Sequence, residues 1–504
     1  MGVDRASTTS LLVVVVRGAG ALQRQVEDQL RAAIRSGRLV AGERLPASRT
    51  LAADLGVSRG VISEAYMQLA AEGWLVVAPR SAPRVAPGGA VAPGGGASPA
   101  APGAATPGPG RAGDAPPAAG ASRRAASPPA AGAPLRAAAG ASRRAASPPA
   151  PVRYDLRPGR PDLAGFPRAE WGRSVAAAIR GAAVADLDYP PIAGAARLRE
   201  VLAAYRGRVR GTLAGPDDVI LTAGAGQAFV ALAEALGPVT LAVEDPGHEH
   251  IRALLAQRGL RPVPVRVDEQ GLVVDDLPPR AGAILLTPAH QFPTGVVLSP
   301  ERRAALLDWA ERRGALIVED DYDAEYRYDR APVGALQGLR PDLVAHVGSV
   351  SKTLAPALRL GWLIAPPAWR ERLLDARGQL DHGLPALEQL ALADFIARGA
   401  YDRHLRRCAR TYGHRRDALL AALRRAVPGA TVTGAAAGLH IALHVPGIDE
   451  PALVAACRAR GLVVDGITPH RVAPGPPGLL ISFAAVPDAA AAHVAELIAA
   501  GCRT

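Results

Sequence analysis

Between residues 22 and 36, apolar side chains recur at Val26, Leu30, Ala33 and Ile34, the three-and-four spacing of a helix with one buried face. Gly37 and Gly42 bracket a turn. Ser48 then reads as the cap of a short helix over 49–55 that Gly56 stops. Ser58 caps a further helix running to about Ala71, where Gly73 ends it. Trp74–Val77 reads as a strand and Arg84-Val85 as its return. Helix, helix–turn–helix and small β wing, in that order, is the layout of a winged helix-turn-helix. From about residue 153 the pattern changes. Short apolar strands are predicted at 219–221, 239–243, 263–267, 283–286, 316–318 and 343–347, with helical patterns at 228–236, 250–257 and 300–313. That alternation predicts a doubly wound α/β domain whose ligand crevice lies at the carboxyl ends of the strands. From Arg403 onward a helix, strands and a final helix predict a smaller α+β lobe.

The stretch between the two patterns is different again. Residues 83–150 hold one leucine (Leu135), no aromatic residue and long Pro/Ala/Gly runs, too little apolar surface to offset ordering entropy. A block of 12 residues, AGASRRAASPPA, occurs at 119–130 and again at 139–150, a tandem duplication rather than a solenoid. As a flexible coil this tether would span about 45 Å. The boundaries are therefore drawn at 1–82 for the winged helix, 83–152 for a disordered linker and 153–504 for the large domain.

Composition narrows the class. No run approaches the roughly 18 apolar residues of a membrane helix, and Leu11–Val16 is too short for a signal-peptide core. Cys408, Cys457 and Cys502 are far apart and odd in number, which speaks for a reducing cytoplasm. Of the net charge of +12, half falls in residues 83–150, which carry 7 arginines against the single acid Asp114. The Arg-Arg pairs there read as solvated tether, with phosphate contact as the second reading. Of the 58 basic residues, 57 are arginine and one is Lys352; asparagine is absent. A bias that replaces lysine wherever arginine serves leaves lysine where a guanidinium cannot do the work.

Lys352 closes the string Gly348-Ser349-Val350-Ser351-Lys352 after an apolar strand, and Arg359 follows. An amine at a strand end can condense with an aldehyde cofactor such as pyridoxal phosphate, while Ser349, Ser351 and Arg359 supply phosphate contacts. Asp320 and Tyr322 share a face if the strand before them runs to its end. A carboxylate there can pair with a pyridine nitrogen and a phenol with a ring hydroxyl. Of the acids Glu319, Asp320, Asp321 and Asp323, some are expected to be solvated loop. Thr222-Ala223-Gly224-Ala225-Gly226-Gln227 lies between strand and helix, where free N–H groups can cradle a phosphate. The strings ending at His248 and Gly295 line the same crevice. His248-Glu249-His250 and His404 with Cys408 are isolated pairs, so no metal site is expected. In the N-terminal unit, Ser48, Arg49, Ser58 and Arg59 stand at helix starts, placed to meet a DNA backbone.

Residues 20–85, with LAADLGVSRGVISEAYMQLAAEGWL, resemble the GntR-type winged helix. Two departures are visible: Gly60 stands where the family often has a larger polar residue, and the wing over 78–83 lacks glycine. Residues 153–500 resemble a fold-type I pyridoxal-phosphate aminotransferase, and the strings TPAHQFPTG and EDDYDAEYRYD resemble the MocR subfamily of GntR regulators. The likeness implies that Lys352 holds the cofactor, Asp320 its pyridine nitrogen and Tyr322 its ring oxygen. It implies that Ala225, Gly226, Ser349, Ser351 and Arg359 hold the phosphate. Tyr189 would reach the neighbouring subunit's phosphate in a homodimer, and Arg471 would clamp the carboxylate of an amino-acid or amine effector. His248 stands where a tyrosine usually stacks on the cofactor, so binding is expected to depend on its charge. Phe292 replaces the asparagine of working aminotransferases, and Leu480 the substrate arginine.

Two functions are weighed. One is a cytoplasmic regulator that binds paired half-sites on double-stranded DNA and senses pyridoxal phosphate or its adduct with an amine, in vitamin B6 or amino-compound metabolism. The other is a working aminotransferase with an appended DNA-binding domain. Phe292, Leu480 and the winged helix favour the regulator. A DNA-binding protein with an empty cofactor domain is disfavoured by Lys352.

Overall fold

The computed structural model describes residues 13–18, 21–77, 82–86, 151–328 and 333–503. In the N-terminal part, α1 (Leu22–Arg35), α2 (Ser48–Asp54) and α3 (Arg59–Ala71) precede the strands β1 (Leu75–Val76) and β2 (Arg84–Val85). Val26, Leu30, Ala33 and Ile34 are all 0% exposed, so the apolar stripe of α1 is the core of this unit. Ile62, Ala65, Tyr66 and Leu69 of α3 close on it, and the Tyr66 hydroxyl donates to the carbonyl of Pro46 at 3.0 Å. The wing is antiparallel, with Leu75 opposite Val85. A linker boundary after residue 82 therefore cuts the wing. Arg84 and Val85 belong to the folded unit because they carry the ladder bonds of β1. The wing residues 78–81 and the tether over 87–150 lie outside the described residues.

Ser48 is not the cap the spacing predicts. It is the first helical residue, Ala47 occupies the cap, and no side chain bonds the free N–H groups. Ser58 does cap α3, its hydroxyl accepting from the Val61 N–H.

The large domain opens with β3 (Tyr154–Asp155), α4 (Arg168–Gly181) and α5 (Ala196–Arg210). The alternating part then runs β4 (Val219–Thr222), α6 (Ala225–Leu236), β5 (Thr240–Asp245), α7 (Glu249–Gln257), β6 (Arg261–Asp268), β7 (Gly271–Leu272), β8 (Ala281–Leu286), α8 (Pro300–Arg313), β9 (Leu316–Asp321), β10 (Val344–Ser349) and β11 (Gly361–Ile364). These strands form an eight-stranded sheet in the order β4-β11-β10-β9-β8-β5-β6-β7. The inner strands β10, β9, β8, β5 and β6 are parallel. The central four are buried along most of their length because both faces are covered, whereas β6 (RPVPVRVD) is largely open to solvent. β11, absent from the pattern reading, is antiparallel to both β10 and β4. It reverses direction, so its first residue lies beside the last residues of its neighbours: Gly361 is opposite both Ser349 and Thr222.

After α9 (Arg370–Gly378), α10 (Ala386–Ala397) and the long α11 (Ala400–Ala426), the smaller lobe contains β12 (Thr431–Thr433), β13 (His440–His444), α12 (Glu450–Ala459), β14 (Leu462–Val463), β15 (Asp465–Gly466), β16 (Leu479–Ser482) and α13 (Ala491–Cys502). Its sheet is antiparallel in the order β12-β13-β16-β15, and β14 pairs in parallel with β3. This is the α/β domain with an α+β lobe that the alternation predicts. Among the described residues no helix is long and apolar enough to cross a membrane.

Candidate functional site

The carboxyl ends of β4, β10, β9 and β5 and the start of β11 converge on one crevice. Lys352 lies just past β10. The loop at Gly159 runs against the amine: an ideal Cβ there would stand 2.7 Å from Lys352 Nζ, and the positive φ of 74° favours glycine. Burial lowers the lysine's pKa, with the carboxyls of Asp323 and Asp320 opposing the shift. The balance favours a neutral, nucleophilic amine more than bulk water would.

Asp320 and Asp321 are adjacent on β9 and face opposite ways. Asp321 touches Arg206, Arg210 (2.8 Å) and His346 (3.3 Å). Burial alone would raise it, but Arg210 and Arg206, then the His346 bond, hold it well below the carboxylate range. Asp320 is 5% exposed, and its carboxyl has no hydrogen-bond partner among the described residues. Burial, then the charge of Asp321, pushes it up to about 8, against the pull of Lys352. A buried carboxyl without a partner is costly unless a cationic or N–H group arrives to meet it. All four acids expected in part to be solvated loop are buried, Glu319 included, whose carboxylate accepts from the backbone N–H groups of Leu336 and Gln337 at 3.0 and 3.1 Å. The strand continues farther than its apolar residues suggest, because ion pairs and backbone donors take over from hydrophobic burial.

Tyr322 follows directly, 9% exposed, on the crevice side with Asp320. Its phenol pKa is raised well above normal by burial and then by Asp323 and Asp320, so it remains protonated. His248, just before α7, stacks on Phe292 with centroids 3.7 Å apart and planes 2° from parallel; Tyr322 stands edge-on to both. Desolvation in this packing, then His470 and Lys352, push His248 down to about 3. The pH sensitivity expected from an imidazole here is thus removed near neutrality.

At the other end of the crevice, Arg359 precedes β11. It is the one non-glycine residue with positive φ (50°) among the described residues. Such a conformation is uncommon for a residue with a side chain. Its guanidinium bonds the carbonyl of Ala223 and lies on Gly224, where an ideal Cβ would be 3.0 Å from Nη2. Gly224 itself has φ 84° and caps α6, whose first residues are Ala225 and Gly226; the space a Gly226 side chain would enter is open. The Ser351 N–H donates to Ser349 Oγ at 3.4 Å. The register of β11 thus brings Ser349, Ser351, Arg359 and the start of α6 around one opening. Helix N–H groups, hydroxyls and a guanidinium are the donor set of a phosphate cradle. An aldehyde-bearing pyridine phosphate fits: amine, unpaired carboxyl, neutral phenol and anion cradle occur in one crevice.

Arg471 follows a short turn, and the loop around it is clamped to the crevice. The Gly247 N–H donates to the His470 carbonyl at 2.9 Å, and Val472 and Ala473 N–H donate to Asp245 at 2.8 and 2.9 Å. The Arg471 Nε has no hydrogen-bond partner among the described residues. Tyr189 is outside this assembly, 85% exposed.

Three residues without an assigned role emerge. Buried Glu244 accepts from Thr287 N–H and Oγ1 at 3.0 and 2.6 Å, and burial pushes it up to about 7 against those bonds. His290 and Asp323 lie behind Tyr322. Each sits in one of the motif strings, but nothing in the sequence distinguishes them from their neighbours.

On the winged helix, Arg49 and Arg59 are exposed at the starts of α2 and α3, and Ser58 is exposed beside them. Arg17, not singled out by the sequence, donates to the carbonyl of Gly56 in the turn between those helices at 2.9 Å. The far end of α3 meets the large domain. An ideal Cβ on Gly334 would lie 3.1 Å from Glu72 Cδ, and Glu72 pairs with Arg31 at 2.8 Å.

Comparison with known proteins agrees on both halves. Residues 22–85 match the family described as bacterial regulatory proteins, gntR family, and residues 166–498 match aminotransferase class I and II. The chain is 32% identical over 447 residues to the HTH-type pyridoxine biosynthesis transcriptional regulator PdxR of Corynebacterium glutamicum, covering 88% of this chain and 87% of that one. It is 34% identical over 409 residues to the probable rhizopine catabolism regulatory protein MocR of Rhizobium meliloti, covering 80% and 77%. The chain belongs to the MocR/PdxR-type GntR regulators. Its larger domain has the fold of the aminotransferases. An archaeal alanine:glyoxylate aminotransferase aligns with TM-score 0.65 at 26% identity, over 69% of this chain and 90% of that one. The α-aminoadipate aminotransferase LysN of Thermus thermophilus aligns with TM-score 0.64 at 25% identity, over 69% and 92%. A regulator of this family thus carries a fold-type I aminotransferase-like domain behind a DNA-binding winged helix.

Proposed function

We propose that this regulator binds pyridoxal phosphate in the crevice and that occupancy alters how its winged helices engage paired half-sites on DNA. The carrying observation is Asp320, a buried carboxyl with no hydrogen-bond partner among the described residues, on the same crevice wall as the only lysine in the chain. When bound, the cofactor supplies an aldehyde that condenses with amines. Lys352 holds it through its amine, Asp320 meets the pyridine nitrogen and Tyr322 donates to the ring oxygen. The Phe292–His248 stack walls the ring. Ala225, Gly226, Ser349, Ser351 and Arg359 hold the phosphate, and Arg471, on the loop bonded to Gly247 and Asp245, takes the carboxylate of an amino-acid effector. Tyr189, exposed here, suits a contact to a second copy in a homodimer. The name of the Corynebacterium relative supports vitamin B6 supply as the regulated process.

A route for coupling is available. The Ala335 N–H donates to the Arg210 carbonyl at 2.8 Å, and Arg210 holds Asp321 beside Asp320. Arg303 grips the neighbouring Gly334 carbonyl at 2.7 Å, against Glu72 of the winged helix. A shift of β9 on cofactor binding would reach α3 through packed polar contacts.

The test is an absorption spectrum of the full chain with pyridoxal phosphate, beside Lys352→Ala, followed by selection of duplexes from a random library with and without cofactor. A visible band lost in the variant, with a changed selected sequence or affinity, supports the reading. Unchanged selection with full cofactor occupancy defeats the sensor. Repeated release of keto acid from added amino acids would make the chain an enzyme instead.

A further inference from the structure

The role assigned here to two neighbours of Tyr322 rests on the proposed function, in which that phenol donates to the cofactor's ring oxygen. A phenol has one proton, so its value as a donor depends on where that proton is directed. The phenol oxygen lies 2.9 Å from His290 Nδ1, and the same nitrogen lies 3.0 and 3.2 Å from the two oxygens of Asp323. One ring nitrogen therefore faces a carboxylate and a phenol together. His290 and Asp323 are each 1% exposed, so water does not arbitrate between them.

The carboxylate decides the tautomer. Asp323 Oδ2 also accepts from the Leu439 N–H at 3.2 Å, a second donor that suits an ionised acid. A lone pair on Nδ1 would point at that negative charge, so the proton resides on Nδ1. A protonated Nδ1 cannot accept from Tyr322. The phenol oxygen must share the Nδ1 proton as an acceptor, and its own proton turns away from His290, toward the crevice. His290 Nε2 then carries only a lone pair, and it has no partner among the described residues.

A metal is the competing use of this cluster, since ligating atoms of His290, Asp323 and His440 all lie within 4.8 Å of one another. The space is filled, however. A Cβ on Gly438 would overlap both His290 and Asp323, and one on Gly295 would stand 3.0 Å from His290 Nε2. Packing this close leaves a hydrogen-bonded relay rather than a cavity for an ion.

We propose that His290 and Asp323 are positioning residues that aim the Tyr322 proton at the cofactor's ring oxygen. The pair acts through Tyr322 and touches no substrate.

The test reads the pH at which the visible absorption of protein-bound pyridoxal phosphate changes. A donor at the ring oxygen stabilises its anionic form and keeps that midpoint low. Tyr322→Phe should raise it by about one to two pH units, the worth of a hydrogen bond to a charged group. His290→Leu and Asp323→Asn should raise it in the same direction. His290→Asn, whose amide N–H takes the place of Nδ1–H, should bring it back toward wild type. In a Tyr322→Phe background, His290→Leu should add nothing, because the two act as a unit. The other titratable groups near the phenol, Asp320, Glu244 and His248, and Asp321 on the opposite face of the strand, are the same throughout the set. If His290→Leu melts early, the near-isosteric Asp323→Asn carries the same test. An unmoved midpoint in Asp323→Asn and His290→Leu, or a further shift in the Tyr322→Phe background, overturns the inference alone. No cofactor band in wild-type protein overturns the cofactor reading and this inference with it.

Discussion

The crevice and the exposed helix starts of the winged helix use the same side chain in opposite ways. Behind the crevice, Arg206, Arg210 and Arg303 are 0–1% exposed and held by carboxylates or carbonyls. On the winged helix, Arg49 and Arg59 are exposed at helix starts. A buried guanidinium sets fixed local charge: it keeps Asp321 ionised, and so keeps Asp320 one residue away from ionising easily. An exposed one acts at a distance, through a field that salt screens. In a chain that has replaced almost every lysine, residue type no longer says which role a cation has. Only Lys352 stands apart, because the imine proposed for it needs an amine that no arginine can supply.

The largest expected effect is at that residue. Lys352→Arg keeps the charge yet should abolish the covalent cofactor band completely, while duplex binding in the absence of cofactor, read by fluorescence anisotropy, stays within a factor of about two. Next comes the buried ion cluster. Arg206→Ala leaves Asp321 and Glu325 short of a partner and should cost about 3–5 kcal/mol in the denaturant midpoint. The same loss from Arg59→Ala would erase the contrast between the two regions.

Asp320 sharpens the contrast through pH. In the cofactor-free protein its pKa is raised to about 8, so between the ordinary carboxyl value of 3.8 and about 8 the folded form holds a proton that the unfolded chain releases. Stability should therefore fall as pH rises through that window. Asp320→Asn should flatten this fall and make the cofactor-free protein more stable at pH 8 than wild type, by thermal melting. No comparable slope should attach to any exposed acid of the winged helix.

Smaller effects are expected at the exposed helix starts. Arg59→Ala should weaken duplex binding about tenfold and lower the slope of log affinity against log salt by about one, leaving the cofactor spectrum unchanged. Ser58→Ala removes the one side-chain cap of the reading helices and should cost about 1 kcal/mol of winged-helix stability. Ser48→Ala, with no cap bond to lose, should cost less.

Apolar periodicity and the glycine stops made the architecture legible in the sequence, while of the two expected serine caps only Ser58 is one. Apolar spacing located α1, α3 and six strands of the large sheet, because burial of one helix face or of both strand faces must be written in the side chains. The motif strings identified the family for the same reason: Lys352, Asp320 and Arg359 need particular atoms at particular strand ends. β11 stayed hidden because four residues, Gly361–Ile364, carry no period of their own and acquire strand form only from β10 and β4 on either side.

What tertiary structure alone decided was the electrical state of residues whose identity was plain. Asp320 and Asp321 are the same amino acid one position apart, and only the pleat of β9 sends one toward two arginines and the other toward an unpaired crevice. His248 is by residue type a titrating imidazole, and its packing on Phe292 desolvates it. His290 and Asp323 lie 33 positions apart in the chain and meet only because β9 runs beside β8. Residue type is a local property, which a sequence displays; desolvation and pairing depend on neighbours brought from far along the chain, and those exist only in the fold.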